Sequence, residues 1–163
     1  MVTIELNFDG YWRESNKKSI PSKSGIYCVY TCTYNQDIKK VTIHKLLYIG
    51  ESYNVNDRID NHERLSDWKN ALERNQTLCY SFAPVTNPER ERAEAALIYK
   101  HKPPMNNEYV NSFTYNDTSI ILSGKTSKLV ESFVIYNDWN TYHLALTTEV
   151  LSDLIFLKHL RFY

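Results

Sequence analysis

The chain has 163 residues, with 19 Lys and Arg against 19 Asp and Glu, so its formal net charge is zero; 42% of residues are hydrophobic and 23% charged. That length suits one domain with a sizeable core, and the composition excludes a disordered or collagen-like chain. There is no run of about eighteen apolar residues, and the N-terminus MVTIELNFDG lacks a basic-then-apolar layout, so no membrane span or secretion signal is expected.

In chain order, residues 1–23 read as an N-terminal extension. It carries an aromatic-basic stretch, Tyr11, Trp12, Arg13, Lys17, Lys18 and Lys23, suited to tracking a phosphate backbone. Residues 26–34 (IYCVYTCTY) and 41–49 (VTIHKLLYI) have the β-branched and aromatic content of strands. Asn35-Gln36-Asp37 between them predicts a hairpin, with Lys39 and Lys40 near its tip able to enter a groove. Two helical patterns follow. One runs from Val55 to Leu65; the other starts after Ser66 as N-cap, with Trp68 and Leu72 on one face. Residues 77–85 (TLCYSFAPV) form a third strand candidate.

The best-marked helix spans 88–101. Asn87 is the expected cap, Pro88 suits the first turn, Glu89 and Glu91 suit the positive end, and Pro103-Pro104 stop it. Beyond it, 118–123 and 132–136 read as short strands, and Thr148 caps an amphipathic final helix with Val150, Leu154, Leu157 and Leu160. The expected fold is α/β: a small antiparallel sheet, made of a hairpin plus a third strand, flanked by helices, with a C-terminal β-β-α extension over 108–163. Residues 1–163 make one domain on this reading.

Cys28 and Cys32 lie four apart in a strand, about 13 Å at roughly 3.3 Å per residue, too far to bridge. With Cys79 they match no zinc spacing, and reduced thiols in a cytoplasmic protein are the expectation.

Two tripeptides frame the hairpin: Gly25-Ile26-Tyr27 opens its first strand and Tyr48-Ile49-Gly50 closes its second. Arg58 and His62 stand four apart, a spacing that aligns them on one helix face, Glu94 lies within the capped helix, and Asn106 follows the double proline. Singly, each is explained by an ordinary sheet tyrosine, a solvated helix face, or a Glu94–Arg90 pair worth about 0.3 kcal/mol. Together and in order, these residues resemble the GIY-YIG endonuclease superfamily over 24–107, roughly half the chain.

The resemblance implies a metal-dependent endonuclease that hydrolyses phosphodiester bonds in DNA, with RNA as a further substrate class, leaving 5′-phosphate and 3′-hydroxyl ends. By the same resemblance Glu94 holds a single Mg²⁺, for which Mn²⁺ substitutes. Arg58 holds the scissile phosphate, Tyr27 acts as general base or orients water, and Tyr48 positions water or phosphate. His62 binds phosphate or relays a proton from Tyr27, and Asn106, with Gly25 and Gly50, supports the site. These types suit the reaction: Mg²⁺ needs few protein ligands, and a guanidinium fork matches a phosphate as an ammonium cannot. A cut through both strands needs a homodimer or two sequential nicks.

The 20 residues between the tripeptides make a long hairpin, as in the restriction-endonuclease branch of the family, and Glu51 adds an unusual carboxylate beside Gly50. A module that binds nucleic acid or regulates without cutting is the alternative expectation. A partner-binding domain with a coincidental match is a third. The zero net charge hides a polarised chain: residues 13–45 hold seven bases against two acids, so neutrality does not exclude a phosphate ligand.

Overall fold

A computed structural model describes residues 1–137. Its core is one six-stranded sheet built from β1 (Val2–Arg13), β2 (Gly25–Asn35), β3 (Lys40–Ser52), β4 (Thr77–Pro84), β5 (Thr118–Gly124) and β6 (Ser132–Ile135). The strand order is β3-β2-β4-β1-β5-β6. Every neighbouring pair is antiparallel except β1 and β5, which run parallel. The α/β class is as expected, but the sheet is mixed and larger than the predicted hairpin plus one strand.

Within the expected N-terminal extension, Val2–Arg13 forms a twelve-residue strand in the interior of the sheet, an element the reading in chain order does not predict. Its alternation was in plain view: Ile4, Leu6 and Phe8 are buried while Thr3, Glu5 and Asn7 face outward. The strand serves two neighbours. Residues 2–8 pair with β5 and residues 9–13 with β4, and the register shifts between Gly10 and Trp12. Gly10 permits this change, since its φ of +129° and the carbonyl of Tyr80, 2.7 Å from where a Cβ would stand, both exclude a side chain.

β2 carries no polar face because it is covered on both sides. Ile26, Cys28, Tyr30 and Cys32 pack toward α3 (Glu89–His101), with Ala93, Ala96 and Leu97 against them. Tyr27 and Val29 pack on the opposite side, against α1 (Val55–Asp60) and α2 (Leu65–Asn70). The sheet therefore sits between two helical layers. The three cysteines are buried and free.

The helix ends differ from expectation in instructive ways. α1 has Asn54 as its cap, but it stops at Asp60 rather than Leu65. At Asn61 the backbone leaves helical geometry (φ −111°, ψ 27°), its N–H closing the last helical bond to the Asp57 carbonyl while its side-chain amide donates to the same oxygen. α2 begins at Leu65, one residue before the expected Ser66 cap, and ends at Asn70. α3 ends at His101 as the prolines require, with Lys102 in the left-handed conformation, but Pro88 rather than Asn87 occupies the capping position. The predicted final helix from Thr148 lies outside the described residues. No described helix is long and apolar enough to cross a membrane.

Candidate active site

Gly50 lies opposite Tyr27 in the β2–β3 ladder. A Cβ on Gly50 would stand 2.4 Å from both Cζ and the hydroxyl of Tyr27 and 2.8 Å from the Tyr48 ring. Glycine at that position is what leaves room for two tyrosines on adjacent strands, whose ring centroids are 6.2 Å apart. The two tripeptides thus have a steric reason to occur together.

His62 does not ride on the Arg58 helix face, because α1 ends two residues before it. The turn instead carries its imidazole inward, where it is buried and stacks on Trp68 at 4.3 Å between centroids, with Trp68 also 5.3 Å from Tyr48. Trp68 is fully buried, and truncating such a residue to Ala costs about 3–5 kcal/mol. Nε2 of His62 lies 2.9 Å from the Tyr27 hydroxyl, and Nδ1 accepts the backbone N–H of Arg64 at 3.1 Å. With Nδ1 an acceptor, the neutral ring carries its hydrogen on Nε2 and donates it to Tyr27. Burial, then the nearby Arg58 charge, hold the His62 pKa down to about 4, so the ring is neutral at pH 7. As an already protonated donor at Nε2, His62 is placed to hold the Tyr27 oxygen. Being buried, it does not border the cleft as a phosphate ligand would.

Burial, first, and then Tyr48 push the Tyr27 pKa far up, while the Arg58 guanidinium draws it down. Tyr48 is raised for the same leading reason, followed by Glu94. Both are therefore phenols in the free protein.

A cleft of about 540 Å³ opens at the edge strand β3. Tyr27, Tyr48, Arg58, Glu94 and Asn106 all line it, so side chains from β2, β3, α1, α3 and the segment after α3 converge. Asn106 is anchored by two hydrogen bonds to one residue: its Oδ1 accepts from Ile49 N–H at 3.0 Å and its Nδ2 donates to the Ile49 carbonyl at 2.8 Å. It acts as a third strand segment against β3, locking the chain after the double proline to the Tyr48-Ile49-Gly50 tripeptide.

Sequence reading did not single out Glu63 as a site residue. Its carboxylate receives both terminal nitrogens of Arg58, at 2.7 and 2.8 Å. Arg58, as its hydrogen-bond donor, holds the Glu63 pKa down to about 2. Both partners are more than a third exposed, so the pair contributes no more than about 1 kcal/mol. The available signal was an acid directly after a helix-ending Asn, five residues past an arginine. Glu51, the unusual carboxylate beside Gly50, forms an ion pair with Arg90, whose Nη1 also donates to Ser24 Oγ at 3.0 Å. Arg90 is thereby directed to β3 rather than to Glu94.

Glu94 is pushed up to about 7, chiefly by burial and then by the Glu51 carboxylate, against a lowering hydrogen bond from the Glu51 backbone N–H. A carboxyl in that state is one that a cation would discharge favourably. Among the described residues no group of three or more His, Cys, Asp or Glu side chains converges to hold an ion. The donor set thus fits a hydrated hard cation with few protein ligands and does not fit a caged transition metal.

The basic residues divide by position. Lys23 is exposed and lines a second cleft, of about 570 Å³, that shares the exposed Tyr53 with the first. Lys18 is exposed on the turn Glu14–Ser19, where Lys17 is held by Glu14 and Asp60 at 3.3 and 3.1 Å. Arg13 stacks over the Tyr34 ring at 3.7 Å, far along the hairpin. Lys39 and Lys40 lie at the hairpin tip, eight strand positions from Tyr27, or about 26 Å. The structure brings Lys23 near the cleft and leaves Arg13, Lys39 and Lys40 remote from it.

No family model matches this chain, and neither a curated protein nor a solved structure does.

Proposed function

We propose that this protein is a GIY-YIG-type endonuclease that hydrolyses phosphodiester bonds in DNA with Mg²⁺, or Mn²⁺ in its place. The observation that carries the reading is the convergence of Tyr27, Tyr48, Arg58, Glu94 and Asn106 on one cleft, from residues up to 79 positions apart in sequence. A chance match of short motifs carries no requirement that their side chains meet.

In this mechanism Arg58 binds the scissile phosphate with its planar fork and stays cationic throughout. Tyr27, a phenol in the free protein, orients the attacking water through its hydroxyl oxygen; it takes the water's proton only after releasing its own to solvent through the open cleft, a loss favoured by the donors Arg58 and His62 and opposed by burial. Tyr48 holds the water or phosphate from the adjacent strand. Glu94 is the residue that would bind the metal, which when bound stabilises charge developing on the phosphate and the leaving 3′-oxygen. Asn106 ties β3 to the segment after α3, so that Tyr48 and Glu94 line one cleft. Cutting both strands then requires a homodimer or two successive nicks, in a cytoplasmic setting that suits the free cysteines.

Incubation of the protein with plasmid DNA and Mg²⁺ tests the reading. Nicking or linearisation is expected, with 5′-phosphate ends, and Glu94→Gln should lower the rate by roughly 10² or more while the circular dichroism spectrum stays unchanged. Binding without cleavage of any DNA or RNA, in Mg²⁺ or Mn²⁺, would instead support the non-cleaving module.

A further inference from the structure

Arg58 is the cation that would receive a phosphate, yet the end of its guanidinium that presents two parallel N–H groups is already taken. Both terminal nitrogens are bonded to the two oxygens of Glu63, in the bidentate geometry with which a guanidinium meets two phosphate oxygens. We infer that Glu63 is a displaceable occupant of the phosphate position: a nucleic-acid phosphate gains the end-on, two-point contact with Arg58 by displacing the Glu63 carboxylate. The inference rests on the nuclease reading of the cleft.

Three features make Glu63 a gate and not a strut. It stands in the turn between α1 and α2, outside either helix, so its side chain can turn away without unwinding anything. It is 62% exposed, whereas the guanidinium it covers faces Tyr27 in the cleft. Nothing else nearby holds it firmly: the closest further cationic candidate is His62, whose Nδ1 is 3.7 Å away but already accepts the Arg64 N–H and carries no proton. Arg64 also borders the cleft and contacts Asp67 at 3.6 Å.

The charges around the cleft give the gate a purpose. Glu51, Glu63, Glu94 and Glu108 line it against Arg58 and Arg64. A phosphate that displaces Glu63 enters beside a freed carboxylate, so a ligand held by one contact is disfavoured. A ligand that also engages the other groups of the site offsets that repulsion. Glu63 therefore filters isolated phosphates from an extended backbone.

The test compares wild type, Glu63→Gln, Glu63→Ala, Arg58→Ala and the Arg58→Ala/Glu63→Gln double variant. Two probes are used without divalent metal: inorganic phosphate, followed by isothermal titration calorimetry, and a labelled mixed-sequence DNA duplex, followed by anisotropy. Glu63→Gln and Glu63→Ala should bind both probes more tightly, by up to about 5-fold, with phosphate gaining more than duplex. The gain should vanish when Arg58 is absent. Equal or weaker binding after loss of Glu63, or a gain that persists without Arg58, overturns the gate. If phosphate binding behaves as expected while no variant binds or cuts nucleic acid, the gate stands and the nuclease reading falls.

Discussion

The Nε2–H of His62 is donated to the Tyr27 hydroxyl over 2.9 Å, and the tautomer that makes this possible is set by the Arg64 backbone N–H on the other ring nitrogen. A candidate base is thus held by a neighbour that supplies a proton instead of removing one. Any ionisation of Tyr27 is then assisted by hydrogen bonding from His62 and by the charge of Arg58, not by proton transfer to the imidazole.

Stability should fall at acid pH through His62. Its folded pKa of about 4 lies below the ordinary value of 6.5, so the unfolded chain takes up a proton that the folded ring refuses. The stabilisation is fully present above about 6.5 and is lost as pH falls toward 4, by an amount on the order of 2 kcal/mol. Urea unfolding across this range should show that slope in wild type, and His62→Gln should flatten it.

Glu94 carries the opposite sign. Its folded pKa of about 7 exceeds the ordinary 4.5, so the folded state retains a proton that the unfolded chain has released. Stability is therefore lost as pH rises from about 4.5 through 7, on the order of 2 kcal/mol, and Glu94→Gln should be more stable than wild type at pH 8. A bound cation favours the ionised carboxylate. Mg²⁺ should accordingly raise the thermal midpoint of wild type more at pH 8 than at pH 6, and not that of Glu94→Gln.

Gly50→Ala should displace Tyr27, since the added methyl would stand 2.4 Å from its hydroxyl. Overpacking of this kind costs about 1–3 kcal/mol. Cleavage should fall by roughly 10², further than the thermal midpoint alone accounts for when assayed well below that midpoint.

Asn106→Ala removes both hydrogen bonds to Ile49 and should cost about 1–3 kcal/mol in chemical denaturation. Asn106→Asp retains the acceptor for the Ile49 N–H but sets a carboxylate against the Ile49 carbonyl, so it should not rescue. A variant that unfolds like wild type would remove Asn106 from its anchoring role.

Among the basic residues, Lys23→Ala should weaken duplex binding and reduce the slope of log affinity against log salt by about 0.9. Lys40→Ala, at the hairpin tip, should leave that slope unchanged. Titrations at several salt concentrations distinguish the two.

Much of this was legible in the order of residues. Strands β2, β3 and β4 and helix α3 could be located from local pattern, because each is a continuous run whose side-chain period or terminal punctuation records its own burial. β1 is equally well patterned, but a strand's place in a sheet depends on partners that are distant in sequence: β5 begins more than 100 residues later. The Arg58–His62 spacing predicts one helix face, but the helix ends at Asp60, and spacing does not record where a short helix stops.

The amino-acid order by itself determined which chemistries this protein can attempt: two tyrosines beside glycines, an arginine, a histidine, a glutamate and an asparagine, in a chain whose zero charge is unevenly spread. Only the tertiary structure decided how they are used. Burial, not residue type, makes His62 a neutral donor, holds the proton on Tyr27 and raises Glu94 to about 7, and it was a turn geometry that brought Glu63 onto Arg58. Side-chain identity sets the available groups, but their protonation and their partners depend on desolvation and on contacts between segments far apart in the chain.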